Sequence, residues 1–165
     1  MSLDEENAKK VSNEHIHSLH KDDPLFEVLR NTTAGNPIMV KNVMKQPSYW
    51  IVPLLEEKRI AGFARVLLNG KIAHLGSYLQ SSGSEQNMAV LTGIDSSKAY
   101  ELAGERIRKG VEFSSEPIFV HDGPIGSEAW LVEVSMGGKP NRWIFVSGQS
   151  VYERPAGKTQ EGIMK

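Results

Sequence analysis

Residues 128–153, EAWLVEVSMGGKPNRWIFVSGQSVYE, read as two strands, a glycine turn between them and the start of a third strand. Trp130, Val132 and Val134 alternate with Leu131, Glu133 and Ser135, the two-residue period of a half-buried strand. Met136-Gly137-Gly138-Lys139-Pro140 is turn material, because glycine supplies positive φ and proline cannot continue a central strand. Arg142 to Val146 resumes the strand, with Trp143 and Phe145 on one face and Ile144 and Val146 on the other. Gly148-Gln149-Ser150 turns the chain before Val151-Tyr152.

The same pattern occurs earlier. Tyr49 to Leu55 reads as a strand, and Pro53 inside it requires an edge position or a bulge. Glu56-Glu57-Lys58-Arg59 is a charged turn, Phe63 to Leu68 the next strand, and Asn69-Gly70 a hairpin signal before Lys71 to Tyr78. Ile38 to Met44 offers a further short strand. Setting Trp50 on Trp130, an offset of 80, places Ile51 on Leu131, Val52 on Val132, Phe63 on Trp143 and Val66 on Val146. The following turn differs by a residue or two, after which Ile72 matches Val151. Two readings stay open: an internal duplication, or two meanders that share only a half-buried pattern.

Helices are expected ahead of each meander. Ala8, Val11, His15 or Ile16, and Leu19 fall at helical spacing within Leu3–Leu19. Asp23-Pro24 reads as a cap followed by proline in the first turn, leading into Leu25, Val28 and Leu29. Asp95 caps a further helix whose packed face carries Ala99, Leu102, Ala103 and Ile107, with Gly110 past its end. Gln80–Asn87 is the natural linker. The expected organisation is an N-terminal helix (1–22), a first α+β meander lobe (23–79), a second (88–155) and a flexible tail (156–165).

Asp95-x-x-Lys98-Ala99-x-x-Leu102-Ala103, Trp130-Leu131-Val132-Glu133-Val134 and Trp143-Ile144-Phe145-Val146 with Val151-Tyr152 together resemble the PepSY domain. The resemblance covers about Ile94 to Arg154 and, more loosely, the first half. It implies an α+β, cystatin-like fold of antiparallel β-meanders each packed by a helix, in two similar lobes. It also implies a non-catalytic module, sometimes inhibitory toward peptidases and often found outside the cytoplasm. The family's acidic last turn is Ser147-Gly148-Gln149-Ser150 here, so no role is carried over from that turn.

Composition narrows the function. A net charge of -1 and no cysteine speak against a general nucleic-acid binder, and rule out disulfides, thiolate metal sites and a cysteine nucleophile. No apolar run reaches the length of a membrane span, about 20 residues. MSLDEENAKK has neither the basic start nor the apolar core of a signal peptide, and the compartment stays open. His17 and His20 would share a helix face, but two imidazoles without a third ligand make a weak metal site. Glu5-Glu6, Asp22-Asp23 and Glu56-Glu57 are adjacent residues that do not face one pocket. His121-Asp122 and Ser127 lack the context of a nucleophile elbow, and Gly137-Gly138-Lys139 leads into a strand rather than a phosphate-binding helix. No catalytic residue, metal or cofactor is expected.

The expected function is a non-enzymatic binding or regulatory module for a protein or peptide. The alternative is a small-molecule binder, or a divergent enzyme, with a pocket between helix and sheet. Trp50, Trp130 and Trp143 serve either as core or as an apolar capture surface, and Val132 would lie on a strand that accepts an extended peptide. An exposed edge would favour the module. A closed pocket with converging polar groups would favour the alternative.

Overall fold

The computed structural model describes residues 4–57, 59–77, 96–107, 110–114, 116–147 and 150–157. The linker expected at Gln80–Asn87, the cap expected at Asp95, the Gly148-Gln149 turn and the tail after Gly157 lie outside these residues. The chain divides into two units, Met1–Val40 with Ser48–Asn87, and Lys41–Pro47 with Met88–Lys165.

In the first unit, Asp4 starts α1 (Glu5–His17) by accepting the Asn7 N–H at 2.8 Å. Glu5 and Glu6 in the first turn and His15 and His17 in the last suit the helix dipole. Its buried stripe is Ala8, Ser12 and Ile16, and the Ser12 hydroxyl donates to the Ala8 carbonyl at 2.9 Å, so its burial is satisfied. Asp23 accepts the Leu25 N–H at 2.8 Å ahead of α2 (Phe26–Leu29), a single turn. Five strands follow: β1 (Thr33–Ala34), β2 (Ile38–Lys41), β3 (Pro47–Glu56), β4 (Arg59–Leu67) and β5 (Ile72–Ser77). Ala8, Ile16 and Leu29 pack on Val52, Leu54, Ala64 and Val66, so the N-terminal helix belongs to the first core rather than standing apart.

The second unit carries α3 (Ser96–Gly104), then β6 (Val111–Phe113), β7 (Ile118–His121), β8 (Glu128–Met136), β9 (Lys139–Ser147) and β10 (Ser150–Pro155). Ala99 and Ala103, both fully buried, let α3 lie close on Val132, Val134, Ile144 and Val146. The opposite face of the same strands buries Leu131, Trp143 and Phe145 with Val43, Val120 and Ala129.

The expected fold of separate helix-packed antiparallel meanders in PepSY- or cystatin-like lobes is overturned. Among the described residues a large mixed sheet of ten strands dominates, with about 20% helix; the order is β3-β4-β5 in the first unit, with β1 on β3, and β10-β9-β8-β7 in the second, with β6 on β8. The mixed character comes from within the second unit, where Lys41, the last residue of β2, pairs in parallel with Val120 of β7. Hairpin signals are local, whereas this pairing joins residues far apart in sequence and has no turn to announce it.

Within each unit the strand pairing follows one offset. Trp50↔Val66, Val52↔Ala64 and Glu56↔Arg59 in β3/β4 become Trp130↔Val146, Val132↔Ile144 and Met136↔Lys139 in β8/β9, each 80 residues on. Both hairpins shift register at the matching place, Leu54/Leu55 and Val134/Ser135. In each case the extra residue is on the second strand, Ala61 in β4 and Asn141 in β9, while Pro53 itself stays in register opposite Phe63. Ile72 pairs with Val66 as Val151 pairs with Val146. The accessory strands repeat too, β1 on β3 and β6 on β8, both antiparallel.

Candidate functional site

The four residues singled out in the sequence do not converge. Trp50 is half-buried against the first unit's core. Trp130 is half-buried on the α3 side of β8, its ring 5.1 Å from that of Phe119. Trp143 lies on the other face, 6% exposed, with its ring edge-on to Phe145 at 6.2 Å. Val132 is fully buried beneath α3. Its strand is not an open edge, because β9 pairs along one side while β7 and β6 pair with Glu128–Leu131 and Val134–Met136 on the other. Strand addition at β8 is therefore excluded.

Charged side chains on the inner faces of β9 and β10 make a different site. Alternation puts Arg142 on the side of Ile144, and Glu153 on the side of Val151. Both face a cavity of about 130 Å³ between the sheet and the turn that follows α3. Ile107, Val111, Val134 and Ile144 form its apolar wall, and Arg106 stands with Arg142 and Glu153 as its charged side. Backbone bonds from Arg106 N–H to the Ala103 carbonyl (2.9 Å) and Ile107 N–H to the Gly104 carbonyl (3.2 Å) tighten the end of α3 and fix Arg106 there. Its guanidinium donates to the Val151 carbonyl at 2.8 Å and lies 3.6 Å from Glu153. Nε of Arg142 lies 2.5 Å from Oε1 of Glu153, but its N–H is not aimed along that line. That buried nitrogen makes no hydrogen bond, so the pair is held by charge with one donor left over.

On the opposite face, Asp122 is 1% exposed and fully engaged. Its carboxylate accepts from Tyr152 Oη at 2.6 Å and from Arg154 Nη1 and Nη2 at 2.9 and 2.5 Å. Arg154 lies 4.4 Å over the Phe145 ring, which stacks on Tyr152 at 5.1 Å. Burial first, and then the bond to Asp122, push the Tyr152 phenol well above its ordinary range. His121 Nδ1 is 3.0 Å from the Gly123 carbonyl. Both Asp122 oxygens are taken by Tyr152 and Arg154.

α1 ends at His17, which leaves His20 outside the helix with its Nδ1 3.1 Å from the Asp22 backbone nitrogen. Among the described residues no group of three or more His, Cys, Asp or Glu is placed to hold a metal ion, and no helix is long and apolar enough to cross a membrane. The sequence signal for the cavity was present but easily passed over: Arg142 and Glu153 are charges on the inward parity of otherwise apolar strands. Compared with known proteins, the chain matches no family model, no curated protein and no solved structure.

Proposed function

We propose that the protein is a non-enzymatic binding module, built as an internal repeat, whose second unit takes a small molecule between α3 and the sheet. The observation that carries this reading is the convergence of two guanidinium groups on a partly apolar cavity, with the buried Nε of Arg142 making no hydrogen bond. Arg142 and Glu153 are partly buried beside apolar side chains while Arg106 stands at the exposed rim, so the charges lie where a ligand from solvent can reach them. A cavity of about 130 Å³ with an apolar wall and a few convergent polar groups has the make-up of a site for a very small ligand. The peptide reading has lost its acceptor at β8, and the exposed large apolar residues among those described, Met44, Tyr100 and Met136, do not form one patch along a single strand.

A fragment titration followed by amide chemical shifts on the intact protein tests the proposal. Shifts are expected to concentrate at Ile107, Val134, Arg142 and Ile144, and to vanish in Ile107→Trp, which fills the cavity mouth. Shifts that cluster elsewhere, or that survive the filling, would overturn it.

A further inference from the structure

We propose that the ligand of this cavity is a small monocarboxylate of about six non-hydrogen atoms, and that Glu153 occupies its carboxylate position as a built-in competitor. The inference rests on the cavity reading above and adds the ligand's chemistry.

Charge supplies the first argument. Two guanidinium groups, Arg106 and Arg142, share the single carboxylate of Glu153, at 3.6 and 2.5 Å. The cavity's charged side is thus one positive charge in excess. Arg142 Nε already lies against the Glu153 carboxylate, at 2.5 Å, and a ligand carboxylate, an acceptor on both oxygens, would be held by the same guanidinium. A neutral ligand would leave the excess charge unanswered, and a cationic one would add to it.

Size and polarity supply the second. A cavity of about 150 Å³ with apolar walls holds benzene, six carbon atoms. The volume here, about 130 Å³, holds a carboxylate with a short alkyl tail lying on Ile107, Val111, Val134 and Ile144.

The repeat supplies the third. In strand pairing, Arg142 stands opposite Val134 as Gly62 stands opposite Leu54, and Glu153 opposite Ile144 as Leu75 opposite Ala64. The first unit therefore closes the matched positions with glycine and leucine. The second unit carries charges there that its fold does not require, since the same pairing forms without them. Those charges have a purpose apart from the fold, and the cavity beside them supplies one.

The test uses butyrate and its neutral isostere butyramide as probes, titrated into the intact protein and its Glu153→Gln, Arg142→Gln and Arg106→Gln variants, each checked by circular dichroism. Butyrate is expected to bind the wild type with a dissociation constant on the order of 1 mM, as suits so small a ligand. Glu153→Gln, which removes the competitor, is expected to tighten it about tenfold, and butyramide to bind at least about tenfold more weakly than butyrate. Arg142→Gln should abolish the preference for butyrate; if that variant does not fold, Arg106→Gln must weaken butyrate in its place. Equal binding of butyrate and butyramide would overturn the carboxylate inference while leaving the cavity reading intact. No binding of either probe to the wild type or to Glu153→Gln would overturn both.

Discussion

Tyr152 shows how a residue's surroundings set its protonation. Its hydroxyl donates to a carboxylate that is 1% exposed, and the ring is stacked on Phe145, so ionising it would place a second negative charge beside Asp122. The folded protein therefore favours the protonated phenol, and its pKa is raised above the unfolded value near 10. A raised pKa gives stability that is complete below the unfolded pKa and drains away as pH climbs from there toward the folded value. The wild type should accordingly lose stability above pH 10 more steeply than Tyr152→Phe, read as urea midpoints between pH 8 and 11.5. Parallel curves for the two proteins would refute the coupling, because every other titrating group is common to both. Little of this was visible in the sequence. Tyr152 and Arg154 share a strand face by simple parity, but Asp122 reaches them only through the β7–β8–β9–β10 pairing, which no local pattern encodes.

At the scale of elements, hairpins were legible and their turns only partly so. The alternation of Trp130 to Val134 against Arg142 to Val146 pairs as its periodicity required, with Trp130 opposite Val146 and Val132 opposite Ile144. Gly137-Gly138 announces its own turn, and both residues have positive φ, 61° and 79°. In the matching turn Glu57 takes φ 60°, a conformation that its charged, exposed side chain does nothing to advertise. Left-handed backbone costs a residue with a Cβ about 1–2 kcal/mol, and glycine avoids that cost at the expense of about 0.5–1 kcal/mol in chain entropy. Glu57→Gly should therefore stabilise the protein by roughly 0.5–1 kcal/mol in urea unfolding, making the first turn resemble the second. A destabilised variant would mean that Glu57 contributes an interaction that outweighs its backbone strain.

For the whole molecule, what the sequence could suggest was the offset of 80 residues between the tryptophans; the sheet that results was beyond it. The offset holds through the β3/β4 and β8/β9 hairpins and their bulges, because each is set by short-range turn geometry and by the parity of buried residues. The parallel β2–β7 pairing depends on chain segments with no turn between them, so no periodicity could reveal it. The cavity escaped for a related reason, since it forms where α3, β6, β8, β9 and β10 meet. If equal register carries equal packing, matched core positions should matter equally, and Val52 and Val132 provide the comparison. Both are 0% exposed; each occupies the same place in its hairpin, Val52 opposite Ala64 among Ala8, Ile16 and Leu29, Val132 opposite Ile144 beside Ala99 and Ala103. Replacing either by alanine removes two buried carbons and leaves a small void, which costs about 2 kcal/mol. The neighbours differ, since two alanines flank Val132 on α3 while larger side chains surround Val52, but the deleted volume is the same. Urea unfolding of Val52→Ala and Val132→Ala should give losses within about 1 kcal/mol of each other. A loss at Val132 that dwarfs the one at Val52 would show that the two units share strand pairing without sharing a packing scheme.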